Sequence, residues 1–221
     1  MVMSPDDAAS LDAVVFDYGN VVYTWDPYGA LPGRATMRQW EDFVAHGDFA
    51  RWNEMCDAGV PREQIEAELA ATYPQRPDWL ELQRLYWSRF SSTLTGPVAG
   101  TAQVMEDLAA AGVRLYLLTN FNDELFEANR HLCPQLELAT GIVVSGVEHV
   151  TKPGREIFEI LLRRYGLEAR RTLFVDDSPA NVAAAEALGL HGHLFRGAGR
   201  LRAALTEAGL LAGAPSEHTG P

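Results

Sequence analysis

Short, nearly continuous apolar runs recur along the chain, separated by longer stretches with helical spacing. Val14–Phe16, "VRLYLLT" (Val113–Thr119), "GIVVS" (Gly141–Ser145), "TLFVD" (Thr172–Asp176) and "HGHLF" (His191–Phe195) read as strands. Runs of this length and character suit a parallel sheet covered on both faces. Helical patterns fill Val98–Ala111, Asp123–His131, Arg155–Tyr165, Ala180–Leu188 and Arg200–Ala208. Alternating strands and helices with short connections predict a doubly wound α/β domain.

The pattern changes between the first strand and Gly96. "ATMRQWEDFVAHGDFARWNEMCDAG", "PREQIEAELAATY" and "PDWLELQRLYWSRF" mix charged and apolar residues in helical fashion, with Pro61 and Pro77 near helix starts. No strand candidate interrupts them, so residues 26–96 are expected to be a helical insertion, with 1–25 and 97–221 forming the α/β core. All five tryptophans, Trp25, Trp40, Trp52, Trp79 and Trp87, fall in the insertion or at its entrance. Large aromatics usually pack, so these are expected to form its core rather than a substrate surface.

Composition narrows the class. At 221 residues and 47% hydrophobic, the chain can bury a substantial core. Its formal charge of −12 argues against a nucleic-acid partner, while a small anionic substrate needs only local positive groups. Cys56 and Cys133 make neither a metal-ligand pair nor a disulfide framework, which favours a reduced, cytoplasmic setting. The start "MVMSPDDAAS" lacks the pattern of a signal peptide, and no apolar run is long enough to span a membrane. The tail "LAGAPSEHTGP" is expected to fray. A monomer or homodimer is expected.

Ligands of an open parallel sheet bind beyond the carboxyl ends of its strands. Asp17, Thr119–Asn120, Lys152 and Asp176–Asp177 all fall at or just after such ends. Each has a plain structural alternative: a turn at Asp17, a helix cap at Thr119–Asn120, a solvated lysine, a helix N-cap at Asp177 or Ser178 before Pro179. Together, three carboxylates repel unless a cation lies among them, and Mg²⁺ prefers such hard oxygen ligands. A hydroxyl, an amide and an ammonium then suit the oxygens of a phosphoryl group.

In this order, "FDYGNV", "LLTN", "TKPGREIFEILLRRYG" and "FVDDSPANVAAAEALG" resemble the haloacid dehalogenase (HAD) superfamily over nearly the whole chain. The insertion after the first motif looks like the helical cap of its first subclass. The "FD-x-G-N-V" opening with "DD" is similar to a branch of sugar-phosphate phosphatases and the amino-terminal phosphatase domains of epoxide hydrolases. The resemblance implies a nucleophile and metal ligand at Asp17, with the metal also taking the Gly19 backbone carbonyl, Asp177 and, directly or through water, Asp176. Thr119 and the Asn120 N–H would hold phosphate oxygens, Lys152 would neutralise Asp17 and the transferring group, and Asn181 would support the acidic loop.

Gly19 departs from the pattern. The family's common phosphatase motif has an aspartate there, which protonates the leaving alkoxide and then activates water. Glycine suits a tight turn or a close backbone approach, but it removes a general acid–base contribution of typically ~10²–10⁴-fold. Asp26, a residue of the insertion such as His46, or a substrate hydroxyl are the available substitutes. The expected function is a Mg²⁺-dependent phosphatase acting on a small phosphorylated metabolite, with a sugar phosphate as one candidate, through an aspartyl-phosphate. A 2-haloacid dehalogenase needs neither acid partner nor metal, but the acid pair would repel its anionic substrate. A non-catalytic phosphometabolite-binding or regulatory protein is the third reading, although binding alone does not require a nucleophile. His191 and His193 lack a third nearby ligand and read as ordinary strand residues.

Overall fold

The computed structural model describes residues 11–212. The opening decapeptide and all but the first two residues of the expected frayed tail lie outside the described residues. The strands, in chain order, are β1 (Ala13–Phe16), β2 (Tyr23–Trp25), β3 (Leu94–Pro97), β4 (Arg114–Thr119), β5 (Gly141–Val144), β6 (Thr172–Asp176) and β7 (His191–Leu194). Five of them form one sheet in the order β5-β4-β1-β6-β7, and every pairing in it is parallel.

The central strand shows why the sheet is buried on both faces. All four residues of β1 are fully enclosed. Val14 and Phe16 join one apolar cluster, whereas Ala13 and Val15 join the other, as the two-residue period of a strand requires. The chain builds outward from β1 through β4 and β5, then returns to the other side of β1 with β6 and β7. The switch in direction therefore lies at β1, with Asp17 at its carboxyl end.

The helices between strands cover the sheet: α5 (Thr101–Ala110), α6 (Asp123–Asn129), the single turn α7 (Ser145–Glu148), α8 (Arg155–Tyr165), α9 (Pro179–Ala187) and α10 (Ala198–Glu207), following α1–α4 of the insertion. α8 buries Ile157, Phe158 and Leu161 against one face and ends at Gly166, whose φ of 62° suits glycine. The expected and observed boundaries differ by a few residues at most. α5 starts at Thr101 rather than Val98, and α6 gives way at Arg130 to a 3₁₀ turn through Leu132.

Residues between β2 and β3 form α1 (Met37–His46), α2 (Phe49–Asp57), α3 (Arg62–Thr72) and α4 (Pro77–Ser88). Thr36 starts α1 with a reciprocal capping box to Gln39. One correction concerns the base of this insertion. β2 and β3 form an antiparallel ribbon pairing Tyr23 with Pro97, Thr24 with Gly96 and Trp25 with Leu94, where no strand was expected. β2 is only three residues long, too short for an alternating pattern to show, and β3 includes Gly96 and Pro97, which weaken a strand and confine it to an edge.

The insertion shares its core with one face of the sheet. An aromatic column joins them: Tyr18 to Phe121 at 5.8 Å between ring centroids, Phe121 to Phe90 at 5.3 Å, Phe90 to Tyr86 at 5.6 Å and Tyr86 to Trp40 at 5.7 Å. Trp40, Trp52 and Trp79 are buried as expected, while Trp25 and Trp87 are half-buried.

The carboxyl end of α2 is fastened to the sheet side. The Ser145 hydroxyl donates to the Asp57 carbonyl, Asn122 Nδ2 donates to the Cys56 carbonyl at 3.3 Å, and His149 Nδ1 lies 3.2 Å from the Ala58 carbonyl. These bonds satisfy carbonyls that a helix end leaves open. Gly59 completes the junction with φ 74°, and a Cβ there would meet the Gly146 carbonyl oxygen at 2.3 Å. Gly59→Ala should therefore lower unfolding free energy by roughly 1–3 kcal/mol. A denaturant midpoint equal to that of the unaltered protein would show that the junction tolerates a side chain.

Candidate active site

Strand register brings the site together. Phe16 pairs with Leu117 on one side and Val175 on the other, so Asp17, the end of β4 and Asp176 emerge side by side. The Asp17 amide itself bonds to the Val175 carbonyl at 2.8 Å. One ligand oxygen from each of Asp17, Asp176 and Asp177 lies within 4.8 Å of the others.

Lys152 reaches into this group from the loop before α8. Its buried Nζ donates to Asp17 Oδ1 at 2.6 Å and to Asp176 Oδ2 at 2.7 Å. Burial pulls the lysine down, but Asp17 and Asp176 outweigh it and hold its pKa above the usual value. Burial pushes Asp17 up to about 7, with Lys152 drawing it down and Asp176 reinforcing the rise. Asp177 is raised by burial and then by its neighbour Asp176.

The other expected residues surround this centre. Asp176 is held by the Ser178 amide at 2.8 Å and by Asn181 Nδ2, which reaches both its oxygens at 3.0 and 3.1 Å. Asn120 does more than its backbone implied. Its side chain accepts from the Lys152 amide and donates to the Lys152 carbonyl, both at 2.8 Å, fixing the lysine's backbone. Thr119 is buried at the end of β4 and faces the same cavity as Asp17, Gly19, Asn120, Lys152 and Asn181.

Gly19 is not a steric necessity. The left-handed residue of this loop is Asn20, with φ 57°, and a Cβ on Gly19 would find nothing within 4 Å. Neither tight turning nor close approach explains the missing carboxylate. Two of the substitutes named for it stand elsewhere. Asp26 caps the following turn through the Tyr28 amide at 3.0 Å, and exposed His46 faces Asp42 at 3.2 Å. Neither lines the cavity.

The residue that does is Asp57. It lines the cavity with Asp17 and Gly19, and also the outer cleft with Asn120, Lys152 and Asn181. Tyr86 donates to Asn53 Oδ1 at 3.1 Å, and Asn53 Nδ2 donates to Asp57 Oδ2 at 3.1 Å. Burial pushes the Asp57 carboxyl up to about 7, with the Asp17 charge adding to the rise and Lys152 opposing it. In sequence, an aspartate before Ala-Gly at a helix end looks like an ordinary solvated terminus, so no local signal marks it. Asn53, Tyr86, Asn122 and Ser145 were missed for the same reason.

His191 and His193 stay outside the site. His191 Nε2 lies 2.9 Å from the Arg170 carbonyl, and burial lowers half-buried His193. Among the described residues, no helix is long and apolar enough to cross a membrane.

The family model of haloacid dehalogenase-like hydrolases matches residues 11–189. The chain belongs to this family. It is similar to a sesquiterpene phosphatase of Aspergillus oryzae, 28% identical over 190 residues that span 81% of this chain and 87% of the relative. Two solved structures share the fold. A HAD family hydrolase from Deinococcus radiodurans with bound phosphate and sodium has a TM-score of 0.63 at 23% identity, covering 93% of this chain and all of that one (100%). A HAD family enzyme from Bacteroides thetaiotaomicron, in complex with magnesium and inorganic phosphate, has a TM-score of 0.59 at 18% identity, covering 85% and 95%.

The raised Asp57 pKa makes a testable statement about this hydrolase's stability. The folded chain holds that proton more tightly than the unfolded chain does. Between the ordinary value of 3.8 and about 7, rising pH therefore costs stability through Asp57. Asp57→Asn removes this cost, so the variant should gain stability relative to the unaltered protein as pH rises through that window. Urea midpoints measured at either end would check it, and a constant or shrinking difference would refute it.

Proposed function

We propose that this HAD hydrolase is a Mg²⁺-dependent phosphatase that cleaves the phosphate monoester of an apolar alcohol through an aspartyl-phosphate on Asp17. The observation that carries this reading is an anionic floor beneath apolar walls. Trp25, Tyr86, Phe90, Leu94, Phe121 and Leu125 line the cavity above Asp17 and Lys152. Such walls suit a hydrocarbon group and offer few partners for the hydroxyls of a sugar. Similarity to a sesquiterpene phosphatase supports the same choice.

The donor set fits the ion. Three carboxylates against the single ammonium of Lys152 leave two negative charges, which one hard dication balances. Asp17, the Gly19 carbonyl and Asp177 would hold it. Asp176, already engaged by Lys152, Ser178 and Asn181, would bear on it mainly by positioning. Bound there, Mg²⁺ supplies positive charge to the phosphoryl oxygens. Asp17 attacks phosphorus, Thr119 and the Asn120 amide hold the equatorial oxygens, and Lys152 balances charge on the transferring group. The same two excess negative charges would repel an anionic haloacid.

An isoprenoid or long-chain alkyl monophosphate should be hydrolysed with higher kcat/KM than a sugar phosphate, and only with Mg²⁺ present. Asp17→Asn should abolish turnover. Mg²⁺ should raise the melting temperature, since a ligand that binds only the folded state stabilises it. Asp177→Ala should lose that response more completely than Asn181→Ala. Full activity in excess chelator, or preference for sugar phosphates, would reject the reading.

A further inference from the structure

We propose that Asp57, supplied by the helical insertion, is the proton donor and acceptor of the reaction, replacing the carboxylate that Gly19 lacks. The inference rests on the phosphatase reading and names the residue that completes it.

Three features of the structure bear on Asp57. It shares the inner cavity with Asp17 and Gly19 and the outer cleft with Asn120, Lys152 and Asn181, so it borders the space a substrate at Asp17 would occupy. The hydrogen-bonded pair of Tyr86 and Asn53 orients the carboxyl and occupies Oδ2. Among the described residues, Oδ1 has no protein hydrogen-bond partner. The backbone around it is clamped to the sheet side through the Asp57, Cys56 and Ala58 carbonyls, so it is held over the site. A surface carboxylate at a helix end needs none of this support. The carboxyl end of a helix disfavours negative charge, and burial here does the same, so the protonated form is available near neutral pH. The room beside Gly19 then serves the leaving group rather than a side chain.

In the first step an Asp17 oxygen bonds to phosphorus and the ester P–O bond breaks. The electron pair passes to the alcohol oxygen, which takes the Asp57 proton, so the alcohol leaves neutral and Asp57 becomes a carboxylate. In the second step that carboxylate removes a proton from water as the water oxygen attacks phosphorus. The P–O bond to Asp17 breaks, its pair returns to the Asp17 carboxylate, and phosphate departs with Asp57 protonated again.

The test compares kcat/KM of the unaltered protein and Asp57→Asn, both with Mg²⁺, on a nitrophenyl phosphate and a primary long-chain alkyl phosphate. The nitrophenolate leaves without help, so its kcat/KM should hardly change. The alkyl ester should lose about 10²–10⁴-fold. The variant should also release a burst of nitrophenol, because its phosphorylated Asp17 is hydrolysed slowly. If Asp57→Asn does not fold, Asp57→Ser carries the same comparison. Equal loss on both esters, or no loss on either, would overturn the role of Asp57 alone. Absence of hydrolysis of either ester by the unaltered protein would overturn this proposal and the phosphatase reading together.

Discussion

The ammonium of Lys152, buried between Asp17 and Asp176, is the interaction on which the site depends. Without it the adjacent ends of β1 and β6 would carry two enclosed carboxylates with nothing to oppose them, a costly arrangement in a low-dielectric interior. Lys152 sits on no strand of its own, so its position has to be imposed. Asn120 does this by bonding both the amide and the carbonyl of the lysine backbone, tying the loop before α8 to the end of β4. Asn181 and the Ser178 amide hold Asp176 from the other side. The hydrogen bonds therefore converge on fixing one cation between two anions.

This centre is built against stability. Asp17, Asp57 and Asp177 all have pKa values raised chiefly by burial, so each is harder to ionise than a solvated carboxyl. A chain selected only to fold would replace some of them with neutral residues. Retained charge of this kind is what a binding site for a cation and a phosphoryl group requires, and the cost is spread over the surrounding core. The central strand, enclosed on both faces, is suited to bearing it because its position cannot relax.

The helical insertion belongs to the same machine. Its aromatic residues continue the apolar face of the sheet through Phe121, Phe90 and Tyr86, and the end of α2 is bonded to the segments following β4 and β5. Opening the insertion as a lid would require parting those carbonyl contacts, so any motion is expected to begin elsewhere, nearer the β2–β3 ribbon. The insertion supplies the Asp57 carboxyl together with Tyr86 and Phe90 of the cavity wall, and the core supplies Phe121 and Leu125 opposite them.

The amino-acid order alone determined the α/β alternation, the mainly helical character of the insertion and the strand ends that carry Asp17, Thr119 and the Asp176–Asp177 pair. These are local signals: apolar runs of strand length ending in polar residues. The absence of a carboxylate at position 19 was equally plain. The carboxylate proposed to fill that absence was not, because Asp57 stands 38 residues further on at an unremarkable helix end. Its approach to Asp17 depends on how α2 docks, through Ser145, Asn122, His149 and the space at Gly59. The β2–β3 ribbon was hidden for a related reason, since pairing rather than propensity makes those short segments strands. Periodicity is written along the chain, whereas the meeting of side chains distant in sequence is decided only when the layers pack.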